Sequence, residues 1–200
     1  MRQDAYPYLS AEGVPVAQPL FQEEGDGSTP ISALQLHFEE TDVTTACQLV
    51  SLWHSRLPRI DYSNVIRGGL VHCYRAVFAN RIHAVAIWTR PVAANRMTDG
   101  YSLMELRRFA ISPEAPKNTA SRMLAWMTRH IRIVEPSVIR LVSYQDTEVH
   151  AGTIYKASGW TATYLSEFKS WSDHADFARS SKKADQSTAP KQRWELELKR

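Results

Sequence analysis

The chain has 200 residues and a mass of 22.8 kDa, with 44% hydrophobic and 22% charged residues, which excludes a wholly disordered protein and fits one globular domain. Two cysteines are too few for a disulfide framework or a four-cysteine zinc site, and they indicate a reducing compartment. The longest apolar run, residues 84–88, is too short to span a membrane, and the N-terminus lacks the apolar core of a secretory signal. We therefore expect a cytoplasmic protein with no membrane partner.

The net charge of +3 is unevenly distributed along the chain. Residues 1–52 carry −7, residues 53–144 carry +9, and residues 145–200 carry +1. The middle segment has thirteen arginines and one lysine, and guanidinium groups bind phosphate in bidentate fashion. This distribution predicts either a solvated basic surface or a surface for an anionic partner, such as nucleic acid or a phosphorylated cofactor.

In the first half of the chain, four prolines and the run GDGST predict that residues 1–31 form an extended or disordered arm. Apolar spacing then predicts a strand at 34–38, a helix capped by Thr41 or Asp42 that runs to about Trp53, a hairpin of strands 70–78 and 82–89, and a loop at 91–100.

In the second half, strands again alternate with helices. The pattern predicts a strand at 103–111, a loop leading into a helix at 119–133, a strand at 138–144, a helix at 151–158, a strand at 160–166, a mobile loop at about 178–192 and a final strand at 194–198. Because the helix at 119–133 is long enough for a crossover, the strands before and after it are predicted to be parallel. The fold class is therefore α/β, with a mixed and mostly antiparallel sheet flanked by helices.

Four segments of the second half carry a family resemblance. They read RRFA at 107–110, APKNTASR at 115–122, VSYQDT at 142–147 and GTIYKASGW at 152–160. Together with the element order, they resemble the Mom family of phage and prophage DNA-modification proteins, a divergent branch of the GNAT acyltransferase superfamily. The resemblance covers roughly residues 34–166, and it implies that residues 32–200 form a single GNAT-like catalytic domain.

The resemblance implies a function. Mom-type proteins modify adenine in DNA at its exocyclic N6 with a carbamoylmethyl group, and the modified sites resist restriction endonucleases. Acetyl-coenzyme A (acetyl-CoA) is the implied source of the transferred group. A simple acetyl transfer would leave an acetyl group, so the residues do not reveal the source of the amide nitrogen or whether iron takes part. No spacing of His, Cys and carboxylate residues predicts a metal site.

In GNAT proteins the loop before the helix at 119–133, together with the start of that helix, holds the coenzyme pyrophosphate, because free N–H groups and the helix dipole attract phosphate. Here that loop lacks the usual glycines. The resemblance assigns cofactor binding to Lys117, Asn118, Thr119, Ala120, Ser121 and Arg122. The alternative is that Ser121 is an ordinary helix serine and that Lys117 and Arg122 are solvated.

Four catalytic residues are implied, each with a structural alternative. Arg108 lies in an otherwise apolar strand and needs an anionic partner, either in the substrate or in a salt bridge with Glu105 or Asp146. Asp146 would bind the adenine N6 amine or take its proton, or else cap the next segment. Tyr155 would protonate the leaving thiolate, or else pack against Ile154 and Trp160. His54 matches the histidine of a His-Tyr element whose tyrosine is Ser55 here, and it is otherwise structural.

Access to adenine N6 sets a physical requirement, because the base is buried in the stack and must be flipped out or offered in a single strand. Aromatic and cationic side chains at residues 53–67 would serve this purpose. DNA is thus the expected partner. Two other functions remain open: an ordinary N-acetyltransferase acting on a small-molecule or peptide amine, and a non-catalytic DNA-binding module.

Overall fold

A computed structural model describes residues 8–9, 15–16, 29–54, 60–67, 69–91, 102–166 and 190–198. It contains a two-stranded sheet of β1 (Tyr8–Leu9) and β2 (Pro15–Val16) and a seven-stranded mixed sheet. The larger sheet consists of β3 (His37–Glu40), β4 (Val71–Phe78), β5 (Arg81–Thr89), β6 (Leu103–Ile111), β7 (Arg140–Asp146), β8 (Thr161–Leu165) and β9 (Lys191–Glu197). The helices are α1 (Val43–Trp53), α2 (Tyr62–Ile66), α3 (Thr119–Val134) and α4 (Thr153–Ala157).

The strand order in the larger sheet is β3-β4-β5-β6-β7-β9-β8. β6 and β7 run parallel, as α3 allows, and the other neighbouring pairs are antiparallel. The predicted fold class is therefore confirmed. The last strand along the chain, β9, lies between β7 and β8 and pairs with both.

Helices pack on both faces of this sheet because its strands alternate. On one face, α1 buries Ala46 and Val50 against Val85 and Ile87. On the opposite face, α3 buries a stripe at helical spacing against the strands, and this stripe consists of Met123, Leu124, Met127 and Ile131. The sheet thus has an α1 face and an α3 face, and residues next to each other in a strand point to different faces.

Several predicted boundaries shift in the structure. Ser32 begins a capped 3-10 turn at Ala33–Gln35, so the first strand of the large sheet starts at His37 rather than at 34. The strand predicted at 138–144 extends to Asp146, which therefore belongs to β7 instead of following it. The helix α2 was not predicted. The end of the predicted loop at 178–192 is wrong, because Lys191 already pairs with Asp146 in the sheet.

Other predictions fall outside the described residues. These are most of the arm at 1–31, the loop at 92–100 and the part of the mobile loop at 178–189. Within the described ranges, no helix is both long and apolar enough to cross a membrane.

The parallel pairing of β6 with β7 stops before either strand ends. The register runs from Leu103 opposite Arg140 to Leu106 opposite Ser143, although the strands continue to Ile111 and Asp146. A bulge in β6 at this point shifts its register against β5, so that Arg108 instead of Arg107 lies opposite Ile87. Bulges bend a strand and often lie beside functional sites. The sheet therefore opens at the carboxyl ends of two parallel strands.

Candidate active site

The opening between β6 and β7 is the candidate active site, because ligands in α/β sheets bind outside the carboxyl ends of parallel strands. The loop after β6 leads to the N-terminus of α3, and the turn after β7 leads to α4. The predicted cofactor residues lie at the end of the first connection and the start of α3, Asp146 ends β7 before the second connection, and Tyr155 lies in α4 after it.

The start of α3 has the features of a phosphate site. Asn118 adopts a left-handed conformation with φ of 68°, and its side chain does not cap the helix. The N–H groups of the first helical turn lack intrahelical acceptors, and those of Ala120 and Ser121 belong to this turn. Lys117 and Asn118 are exposed beside them. The binding of a phosphate by these groups stays a prediction.

Three of the six predicted cofactor residues have side chains that contact other groups of the protein. Thr119 is buried, and its hydroxyl donates to the Pro116 carbonyl at 2.7 Å. The Arg122 guanidinium lies over the ring of Phe38 on β3, 5.7 Å from its centroid. The Ser121 hydroxyl donates to the Asn118 carbonyl at 3.2 Å, and its own carbonyl accepts from Ser158 at 3.0 Å. Ser121 thus links the start of α3 to the end of α4.

Tyr155 places its hydroxyl at the point where the sheet opens. The hydroxyl lies 2.8 Å from that of Ser143, the last residue of β7 in register with β6. The ring stacks on Trp194 with centroids 5.2 Å apart and meets Trp160 edge-on. Burial raises the pKa of the phenol, so it keeps its proton at neutral pH. Tyr155 therefore packs against two tryptophans and also carries a protonated hydroxyl that could act as a proton donor.

Asp146 ends β7 on the α1 face. One carboxylate oxygen accepts from the Lys191 ammonium at 2.6 Å, and the other accepts from the Glu148 N–H at 3.1 Å. The Asp146 side chain thus caps the turn after β7, which is the structural alternative given for it above, and it also forms an ion pair with Lys191. Lys191 lies 45 residues from Asp146, in a segment for which the sequence predicts a loop, so no local pattern indicates this pairing.

Arg108, His54 and His150 are brought near one another from three different elements. Arg108 on β6 donates to the Arg107 carbonyl at 2.7 Å, and burial, followed by the charge of Arg107, lowers its pKa to about 10. His54 caps the C-terminus of α1. Burial, then the charges of Arg108 and His150, lower the pKa of His54 to about 4. At neutral pH His54 is therefore uncharged, and its low pKa makes it a weak base. His150 was not identified from the sequence.

The depressed pKa of His54 predicts a loss of stability in acid. In the unfolded chain the pKa is about 6.5, so the unfolded state binds the proton first as the pH falls. Stability is fully present above about pH 6.5 and is lost as the pH decreases towards 4. Urea unfolding at several pH values should show a flatter profile for His54→Asn. His37→Asn is the control, because that side chain is 75% exposed; equal profiles for the two variants would contradict the assignment.

Among the described residues, no group of three or more His, Cys, Asp or Glu side chains is placed to hold a metal ion. The two cysteines are free thiols; Cys73 is buried against the α1 face, and burial raises its pKa to about 12. We assign no metal ligands to the site.

A mixed sheet that opens between two central parallel strands, with the N-terminus of a helix at the opening, defines the class of GNAT acetyltransferase folds. The chain belongs to the Mom protein family, whose model matches residues 35–198. No curated protein matches it by sequence.

Similar solved structures share this fold. They include a Bacillus subtilis acetyltransferase in complex with CoA (TM-score 0.55, 11% identity, covering 82% of this chain and 98% of that one). A GNAT family acetyltransferase from Elizabethkingia anophelis with acetyl-CoA bound gives a TM-score of 0.52 at 12% identity, over 82% and 99% of the two chains. The ribosomal-protein-S18-alanine N-acetyltransferase from Escherichia coli gives 0.54 at 10% identity, over 81% and 93%.

Proposed function

We propose that this protein modifies adenine N6 in DNA with a group derived from acyl-CoA, and that the modification protects DNA from restriction endonucleases. Membership of the Mom family supports the choice of substrate. The observation that carries the proposal is the opening of the sheet between Ser143 and Leu106, which has the Tyr155 hydroxyl at its closed end.

The acyl donor would lie along the opening with its phosphates at the start of α3. The amides of Ala120 and Ser121, with Lys117 beside them, supply hydrogen bonds and positive charge for a diphosphate. Beyond Leu106, β6 no longer pairs with β7. The backbone N–H and C=O groups on that edge of β6 could therefore form hydrogen bonds with an extended ligand. Two neighbours in the fold comparison contain CoA or acetyl-CoA, which supports this class of donor.

Tyr155 and Asp146 would carry the proton transfers. The Tyr155 phenol holds its proton at neutral pH and donates it to the leaving thiolate. The Asp146 carboxylate accepts a hydrogen bond or a proton from the N6 amine, and Lys191 fixes its orientation. Arg108 supplies positive charge near His54, and the neutral imidazole of His54 would accept a hydrogen bond from the substrate rather than a proton.

The test is to express the protein in a bacterial host, digest the total DNA to nucleosides and search for a modified deoxyadenosine by mass spectrometry. The wild type should produce one, and its mass should distinguish a carbamoylmethyl from an acetyl group. Asp146→Asn keeps the shape of the side chain and should reduce the product at least a hundredfold. Unmodified DNA from cells with soluble wild-type protein would overturn the proposal.

Two further measurements separate the alternatives. An ordinary N-acetyltransferase should bind acetyl-CoA but not DNA. A non-catalytic module should bind DNA equally well after Arg108→Ala and Asp146→Ala, without a modified nucleoside. If phosphate contacts dominate DNA binding, the affinity of the wild type should fall steeply with salt concentration.

A further inference from the structure

A cavity of about 380 Å³ lies on the sheet beside the proposed active site. Its lining residues are Tyr144, Tyr164, Ser166, Lys191 and Arg193. Tyr144 belongs to the α1 face, because its neighbours Ser143 and Gln145 contact Tyr155 and Trp194 on the other face. The helix α1 packs on β4, β5 and β6, so the cavity lies beyond it, over β7, β9 and β8.

The register places the cationic and aromatic side chains side by side. Arg193 on β9 lies opposite Tyr144 on β7 and opposite Tyr164 on β8. Arg193 therefore lies between two tyrosines across three neighbouring strands. Tyr164 is 60% exposed, so the fold itself makes little use of its ring. Aromatic rings stack on nucleobases, and cationic groups contact their phosphates.

The cavity also adjoins the proposed catalytic carboxylate. Lys191 lines the cavity and donates to Asp146 at 2.6 Å. Asp146 is two residues from Tyr144 in the same strand and so shares its face. Acidic partners balance both cations, since Arg193 contacts Glu195 at 2.6 Å and Lys191 contacts Asp146. Because both positive charges are paired, we expect aromatic stacking to contribute more to ligand selectivity than net charge does.

We propose that this cavity receives the extruded adenine, with Tyr164 stacking on the base and Arg193 contacting its phosphate. This inference rests on the proposed function, and it names the residues that bind adenine, the acceptor of the transferred group. A volume of this size lies in the lower range of ligand pockets and suits one nucleotide better than a duplex. The cavity and Asp146 lie on the same face of the sheet, so the exocyclic amine of a base bound in the cavity would lie near the Asp146 carboxylate. Tyr164 is thus a substrate-binding residue, which contacts the base without taking part in proton transfer.

The first test compares Tyr164→Ala with the matched variant Tyr164→Phe, which keeps the ring. Loss of one stacked base should lower the amount of modified deoxyadenosine about tenfold to a hundredfold in Tyr164→Ala, while Tyr164→Phe stays within about twofold of wild type. Arg193→Gln should also lower it. Acetyl-CoA binding should remain unchanged in all three variants, which shows that they are folded. Wild-type modification by both Tyr164→Ala and Arg193→Gln would overturn the proposal.

A binding test keeps the inference separate from the chemistry. The free nucleotide 2-aminopurine deoxyriboside monophosphate should lose fluorescence when it binds the wild type, because the analogue stacks on tyrosine, and Tyr164→Ala should abolish this loss. Deoxyadenosine monophosphate should compete. If deoxyribose phosphate competes equally well, the cavity binds phosphate alone and the proposal fails. Quenching by a wild type that leaves DNA unmodified would support the cavity while refuting the proposed function.

Discussion

Replacing Tyr155 by phenylalanine should lower the rate of DNA modification about 10²- to 10⁴-fold, the usual contribution of a positioned proton donor. The phenylalanine ring retains the stacking on Trp194 and the edge contact with Trp160. Only the hydroxyl is removed, which leaves the buried Ser143 hydroxyl without this partner at a cost of about 1–3 kcal/mol. The measurement is the initial rate of nucleoside modification with purified protein at saturating acetyl-CoA.

Two controls separate chemistry from packing at this position. Tyr155→Ala removes the ring as well and should lower the free energy of unfolding by about 3–5 kcal/mol. Ser143→Ala keeps the phenol and removes its hydrogen-bond partner, so it should slow the reaction less than Tyr155→Phe does. If Tyr155→Phe works at the wild-type rate, the tyrosine serves packing alone and the proposed proton donor is wrong.

Gly152→Ala should destabilise the fold by about 2–4 kcal/mol through backbone strain combined with overpacking. Gly152 precedes α4 with φ of +72°, a conformation that side chains disfavour. An added Cβ would lie 2.5 Å from the Gln145 side-chain oxygen and 2.5 Å from the Trp194 ring. Neither group can move easily, because the Trp194 indole donates to that Gln145 oxygen at 2.6 Å. Urea unfolding measures the loss.

Gly159→Ala is the matched control for this prediction. Its φ of +77° is almost the same, but nothing lies within 4 Å of the added Cβ. It should therefore lose only the conformational part, about 1 kcal/mol. Since Trp194 supports the ring of Tyr155, Gly152→Ala should also slow modification more than Gly159→Ala does. Equal destabilisation in the two variants would show that the close contacts with Gln145 and Trp194 carry no energy.

Local patterns predicted much of the fold. The hairpin of β4 and β5 turns at Ala79 and Asn80, as expected, and both residues have positive φ. The helix predicted at 119–133 agrees with α3 to within one residue at its end. The first strand was misplaced because the capping box at Ser32 and Gln35 overrides the alternation that begins at Leu34. Short elements such as α2 contain too few apolar positions to show a period.

The family motifs named candidate residues for the site, but the arrangement of those residues depended on strand register. The sequence by itself determined the α/β class, the helix behind the cofactor loop and the candidates Arg108, Asp146 and Tyr155, since periodicity and motif order are properties of neighbouring residues. Only the tertiary structure decided that Lys191 pairs with Asp146, that His150 and Arg108 act on His54, and that Arg193 lies between two tyrosines. These contacts join residues far apart in the chain. Those of Lys191 and Arg193 form because β9 inserts between β7 and β8, which no local pattern specifies.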